Sequence, residues 1–459
     1  MLFNSFPFLF VFLPSALALH GLAERFAPQL RLPLLVALSF VFYGYWDWRF
    51  IPLLALSILI NWTLAQYFWR TRRGALIAAA IALDLLVLGI FKYAHFFATL
   101  IPGLSLPGAD IFGGGAALPL GISFFTFHHI MYLADLKAGA APRYGLLRYG
   151  LYIAFFPQVL AGPLVRWREI MSQFDERPYR RPDAAHRFAC GIMLLVIGLA
   201  KKTLLGDPLA DEVNPVFADA ANGLGVSVVD AWHATLGFTF QIYFDFSGYT
   251  DMALGIALMF GIVLPQNFAI PYRAVSLSQF WRRWHMTLSR FLRDYLYIPL
   301  GGNRHGLPTQ LAALIATMAL GGLWHGAGLT YVAWGLAHGL GLCAGVLWRR
   351  AALPMPARIG WALTFLFVAF AWVLFRAPTF EAALRVYDGL VGLAPFGHGF
   401  KWRSIGAAAG VAMIGPTAWD AAHRARPSYW IAAACAALFV LTLFKIGNDA
   451  NYEFIYFRF

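Results

Sequence analysis

The sequence predicts an all-α integral membrane protein, and three observations carry that reading. The 459-residue chain is 60% hydrophobic and only 12% charged, whereas a soluble protein of this size carries about 25% charged residues. Its mean hydropathy is +0.64. Apolar runs recur from end to end, and runs of roughly 17–25 residues are long enough to cross a bilayer as helices.

Taken in order, the expected spans fall near 4–22, 32–46, 50–69, 74–93, 116–134, 145–165, 188–205, 227–244, 249–264, 309–323, 329–348, 359–375, 403–421 and 429–446. Several are short or interrupted by Gly and Pro. About 11 are therefore read as true transmembrane helices, and the rest as re-entrant or interfacial segments covered by protein or a water-filled cavity. The first segment, FNSFPFLFVFLPSALALHGLAERF, has no basic n-region and no small-residue cleavage site. It reads as a first spanning helix that stays. No hydrophilic stretch is long enough for a soluble domain, so 1–459 is expected to be a single polytopic domain.

Net charge is +13, and the basic residues cluster in loops between apolar segments. The positive-inside rule explains this better than nucleic-acid binding does. Placing Arg25, Arg31, Arg70, Arg72 and Arg73 inside puts the N-terminus outside. Placing Arg349, Arg350, Arg358, Arg424 and Arg426 inside leaves the C-terminal NYEFIYFRF outside as well. Cys190, Cys343 and Cys435 lie inside apolar segments without metal-ligand or CxxC spacing. They read as small buried hydrophobes, and no metal site is expected.

Two stretches break the apolar pattern. Residues 166–187 hold six Arg and four acids around two prolines and read as a cytosolic loop. In residues 276–304, Phe280, Trp284, Leu288, Phe291, Leu292 and Tyr295 recur at helical spacing. Arg282, Arg283, Arg290 and Arg293 fall largely on the other side. One basic amphipathic helix lying along the cytoplasmic interface is expected there.

Thr309 to Trp348 contains no Lys, Arg, Asp or Glu, yet His325 sits inside it, flanked by Gly321, Gly322, Gly326 and Gly328. A straight helix entered near Thr309 would place His325 about 24 Å in, at 1.5 Å per residue. An ionisable side chain at such depth points to function. Desolvation keeps an imidazole neutral and able to act as a base. The alternative is a histidine that hydrogen-bonds between helices. His285 reads from spacing alone as a boundary residue, while His128, His129, His233 and His338 read as partners between helices. In QIYFDFSGYTDMALG, Ser247 is expected to cap a helix starting near Gly248, with Asp251 in its first turn. Asp245 needs an arginine or histidine partner.

Soluble-enzyme signatures (HExxH, a P-loop, a GxSxG elbow) do not occur. GLGLCAG at 339–345 lacks a preceding strand; Gly335/Gly339 and Gly341/Gly345 read instead as a helix-packing device.

QIYFDFSGYTDMALG, LPQNFAIPYRAVSLSQFWRRWHMTLSRFLRDYLYIPLGGNR and GGLWHGAGLTYVAWGLAHG together resemble the membrane-bound O-acyltransferase (MBOAT) family. The likeness is to the bacterial branch that acetylates alginate, cellulose and peptidoglycan. It runs almost the whole chain and is densest at 241–339. The resemblance implies a ring of helices around a central tunnel, with His325 as the defining catalytic histidine and His285 as a second catalytic position. Asp245, Ser247, Trp324 and Asn303 are candidates for support or tunnel lining. Arg282, Arg283 and Arg290 are candidates for contacting donor phosphates, or simply for anchoring at the interface.

No bound cofactor is implied; the donor substrate would be acetyl-CoA or a carrier-linked acyl thioester. Implied partners are membrane lipid, a periplasmic SGNH-type acetyltransferase and a polysaccharide acceptor such as alginate, with no nucleic acid. The setting would be the bacterial inner membrane, with both termini periplasmic. Arg458 stands where the branch has glutamine, in a tail used for partner docking. Two rival readings are a transporter or flippase of a polar lipid-linked intermediate and a non-catalytic scaffold of a polysaccharide-modifying complex.

Overall fold

The computed structural model describes residues 1–100, 119–160, 162–448 and 454. These residues are helical with turns, and no strand occurs among them. Among the described residues, eight helices are long and apolar enough to cross a membrane: Pro7–Phe26, Trp48–Thr71, Gly74–Ala94, Ala184–Ala221, Leu307–His325, Leu329–Arg350, Ala357–Arg376 and Tyr429–Gly447. The chain is a multi-pass membrane protein.

Several expected spans take a different form. The pair at 227–244 and 249–264 is one continuous helix, Val228–Met259. Ser247 therefore lies in mid-helix and caps nothing. No proline interrupts this stretch, and the helix is buried on all sides around residues 240–258, so nothing ends it at Gly248. A Cβ on Gly248 would come within 2.8 Å of the Gly198 carbonyl oxygen. That glycine serves close packing rather than a break.

The span at 145–165 divides into Leu146–Ala154 and the one-turn helix Phe156–Val159, with Phe155 extended between them (φ −48°, ψ 113°). The span at 403–421 divides into Trp402–Ile414 and Ala418–Arg424 around Gly415 and Pro416. Proline cannot supply a helical N–H and pushes its predecessor into extended backbone. The expected span at 116–134 lies partly outside the described residues.

The chain forms two compact units. One comprises Met1–Val196 and Thr250–Pro265. Its core is aromatic: Phe3, Phe42 and Phe156 are buried, with Phe42 and Phe156 ring centroids 5.4 Å apart and Phe156 to Phe260 5.5 Å. Several of its buried polar side chains are paired. Asn61 donates to Asp84 at 2.8 Å. His128 receives the Val165 backbone N–H at 3.1 Å and donates to the Phe124 carbonyl at 2.8 Å. His129 meets the Tyr149 hydroxyl at 2.6 Å. His129 bridges helices, as its sequence context suggests, whereas His128 ties its helix to the non-helical segment around Val165. The arginine-rich stretch is pinned down, for Arg31 donates to the carbonyls of Phe174 and Glu176, and Glu24 accepts the Tyr179 N–H at 3.1 Å.

The other unit comprises Ile197–Tyr249 and Gln266–Phe459. Its centre is the helical hairpin of Leu307–His325 and Leu329–Arg350, joined by a three-residue turn. A Cβ on Gly322 would overlap the Tyr331 carbonyl, and one on Gly335 would overlap the Met318 carbonyl. A Cβ on Gly339 would lie 2.9 Å from the Ile315 Cα. The two backbones touch along this glycine line, which is how small residues let membrane helices associate.

Candidate active site

His325 is the last residue of its helix, and Gly326 leaves helical geometry in an extended conformation (φ −162°, ψ 150°). The side chain is 3% exposed and surrounded by rings. Trp324 lies 4.8 Å away between centroids, Trp334 5.2 Å and Phe375 5.3 Å. His285 completes the group at 6.4 Å. These rings make the enclosure largely aromatic.

His285 reaches this position through an unusual backbone. The expected amphipathic helix over 276–304 is instead three short pieces: Leu277–Trp281, Met286–Leu292 and the π-helical turn Arg293–Tyr297. The break falls at His285, which takes left-handed backbone angles (φ 41°, ψ 53°). A non-glycine residue there costs about 1–3 kcal/mol and persists only when its surroundings over-determine it. Here the surroundings come from the segment beginning at Asn267. The Asn267 carbonyl accepts the Met286 N–H at 2.9 Å, and the Arg283 carbonyl accepts the Ala269 N–H at 2.9 Å.

Asn267 is 1% exposed, and its side-chain oxygen receives three groups. These are the Thr287 backbone N–H at 3.1 Å, the Thr287 hydroxyl at 2.9 Å and His285 Nδ1 at 3.1 Å. The apolar face foreseen for the stretch is real, for Phe280, Trp284, Leu288, Phe291 and Leu292 are all buried. Hydrophobic spacing simply does not record the break. His285 is fully buried, lies outside the eight spans, and burial pushes its pKa down from 6.5 to about 3. It is neutral. Phe246 packs against it edge-on at 4.7 Å.

The remaining sequence candidates sort by position. Trp324 flanks both histidines, at 4.8 Å from His325 and 6.2 Å from His285. Ser247 is buried on the same helix as Phe246. Asp245 is buried too, and the partner it finds is a lysine: Lys202 Nζ lies 2.7 Å from Asp245 and 2.5 Å from Asp207. Asn303 is exposed on the turn between Arg293–Tyr297 and Leu307–His325 and takes no part in the histidine cluster. His233 pairs with Glu212 at 2.9 Å, and His338 receives the Trp281 indole N–H at 3.2 Å. Arg458 lies outside the described residues.

A cavity of about 520 Å³ shares elements with this cluster, although neither histidine lines it. Met286, the neighbour of His285, lines it together with Thr317 and Met318 of the His325 helix. Four arginines line it as well: Arg282, Arg290, Arg293 and Arg349. Among the described residues no carboxylate lines it, though Arg293 pairs with Asp294 at 2.7 Å. Two of the three arginines expected from sequence are therefore on this wall and Arg283 is not. Arg293 was visible as part of the basic face, but Arg349 comes from a different helix and carried no local signal.

Two buried histidines thus share one aromatic cluster, and Met286, next to His285, lines a cavity that carries four arginines. The family model described as MBOAT, membrane-bound O-acyltransferase family, matches residues 40–380. The chain belongs to that family and is an O-acyltransferase.

It is 38% identical over 430 residues to the peptidoglycan O-acetyltransferase of Helicobacter pylori, covering 86% of this chain and 80% of that protein. It is 39% identical over 406 residues to the probable alginate O-acetylase AlgI of Pseudomonas aeruginosa, covering 85% and 75%. It is 27% identical over 270 residues to the teichoic acid D-alanyltransferase of Streptococcus thermophilus, covering 56% and 64%.

Proposed function

We propose that the chain moves an acetyl group from a cytosolic thioester, acetyl-CoA or a carrier-linked equivalent, to a hydroxyl bound for an extracytoplasmic polysaccharide such as alginate. The observation that carries this reading is the buried His285–His325 pair, 6.4 Å between ring centroids, on elements that also line a cavity with four arginines. A thioester already has a good leaving group, so the protein needs to supply orientation, a base and exclusion of water. His325 takes the proton from the attacking hydroxyl as its oxygen bonds to the acyl carbon. The carbon–sulfur bond breaks, and the proton ends on the departing sulfur. His285 serves the thioester end. Arg282, Arg290, Arg293 and Arg349 hold the donor's phosphates, for which guanidinium geometry is suited.

The same reading places the protein in a bacterial inner membrane, both termini periplasmic, with about 11 crossings arranged around a tunnel. A periplasmic SGNH-type acetyltransferase receives the group, and lipid surrounds the protein. Identities of 38–39% to acetyltransferases, against 27% to a D-alanyltransferase, support acetyl as the group moved. The test is release of labelled acetyl from acetyl-CoA by purified protein, with His325→Ala folded and still binding donor as comparison. Transfer by the wild type and its loss in the variant support the reading. Undiminished transfer by His325→Ala, or substrate movement without thioester consumption, overturns it.

A further inference from the structure

The geometry points to Asn267 as a positioning residue that fixes His285 as the Nδ1–H tautomer and so presents Nε2 as a proton acceptor. The Thr287 backbone N–H can only donate, and the Asn267 side-chain atom it meets at 3.1 Å must therefore be the oxygen. Turning the amide over would set an NH₂ group against that N–H. The same oxygen lies 2.9 Å from Thr287 Oγ1 and 3.1 Å from His285 Nδ1. A carboxamide oxygen has no proton to offer, so both of these atoms must donate. His285 consequently carries its proton on Nδ1, and the lone pair of the neutral ring lies on Nε2.

The backbone reinforces the clamp. The Asn267 carbonyl holds the Met286 N–H at 2.9 Å, so the residue grips the chain on the C-terminal side of His285 through both main chain and side chain. The left-handed turn at His285 (φ 41°) is what lets one asparagine reach the imidazole and the next two residues together. Thr287 in turn orients the amide.

This inference rests on the acyl-transfer reading for its chemical consequence. In that reaction one proton leaves the hydroxyl oxygen and one arrives on sulfur. A His285 whose only proton is engaged by Asn267 enters the cycle able to receive at Nε2 and unable to donate there. It works as the second acceptor of the pair, taking the travelling proton and returning it to the departing sulfur. It does not begin as an acid that protonates the thioester carbonyl.

The test reads the tautomer first, without substrate. Protein carrying ¹⁵N-histidine is examined at neutral pH, with His285→Gln identifying the signals. Pyrrole-like Nδ1 and pyridine-like Nε2 resonances for His285 are expected; the reverse pattern overturns the proposal. Asn267→Asp keeps an acceptor oxygen but adds a negative charge, which favours the imidazolium. It should move the acidic limb of the kcat/KM profile to higher pH; an unmoved limb in a folded variant also overturns the proposal. Asn267→Leu should lower kcat on the order of 100-fold, with KM for the thioester little changed, as expected for a misplaced catalytic group. Loss confined to KM counts against the role. Because the tautomer is observed without turnover, its failure is distinct from a wild-type protein that transfers no acyl group, which would sink the activity and leave the tautomer standing.

Discussion

His285 and His325 stand 6.4 Å apart between ring centroids, although forty positions separate them in the chain. Neither helix brings them together alone. His325 arrives at the end of one helix, and His285 is turned toward it by a left-handed break. Trp324 lies near both rings, 4.8 Å from His325 and 6.2 Å from His285 between centroids. Burial keeps the His285 imidazole uncharged, which is the form a base needs before it accepts a proton.

Removing the base should remove the chemistry. His325→Ala is expected to lower acyl transfer by about 10²–10⁴-fold, the usual worth of a positioned acid–base group. Donor binding, measured by equilibrium titration with a non-hydrolysable thioester analogue, should stay within about twofold. A parallel loss of binding and turnover would mean that the substitution collapsed the site.

The arginine wall should govern donor affinity more than turnover. Charge-assisted hydrogen bonds contribute about 1.5–3 kcal/mol each, so Arg290→Ala and Arg349→Ala should each raise KM for the donor by about 10- to 100-fold. The effect should shrink as salt is raised, because ions screen charges that face water. Arg283→Ala, which alters a residue outside the cavity lining, should leave KM nearly unchanged.

Burial of Lys202 between Asp207 and Asp245 ties the two carboxylates together. Lys202→Met leaves two like charges facing each other in low dielectric and should cost about 3–5 kcal/mol. Thermal unfolding in detergent reads the loss. Adding Asp207→Asn and Asp245→Asn to the same chain should recover part of it; if the single variant unfolds like wild type, the triad is not a stability determinant.

The glycine line makes a paired prediction. Gly335→Ala should destabilise the Leu307–His325/Leu329–Arg350 hairpin by about 1–3 kcal/mol, since its Cβ overlaps the Met318 carbonyl and the helices must separate. Gly345→Ala meets only the end of the Arg349 side chain, at 3.7 Å. It should be neutral or stabilising by about 0.5–1 kcal/mol through helix propensity.

Acid should weaken the fold through His285. Unfolded, its imidazole binds a proton below its ordinary pKa of 6.5; folded, burial delays this to about 3. The unfolded state therefore binds more protons between those values, and stability is lost as pH falls below about 6.5. The fall in melting temperature between pH 7 and pH 5 should be smaller for His285→Gln than for wild type.

The limits of sequence reading are visible residue by residue. His325 was legible because an ionisable group in an uncharged run is expensive and therefore conspicuous. Gly335 and Gly339 were legible because their spacing repeats at a helical period. Asn267 was not, since it lies in ordinary-looking loop sequence and acquires its role only when Thr287 and His285 fold against it. Ser247 misled, because a serine before a glycine fits a cap equally well as a packed position inside a long helix. Asp245 needed a partner, as its burial demanded, but spacing gave no means of choosing Lys202 over an arginine or histidine.

The amino-acid order alone settled that the chain is helical and lives in a bilayer, because hydropathy and the need to satisfy backbone groups in lipid act locally on each segment. Which side chains meet was decided in three dimensions. The turn at His285, the grip of Asn267 and the addition of Arg349 to a wall of arginines depend on contacts between distant segments, and no periodicity within one segment encodes its neighbours.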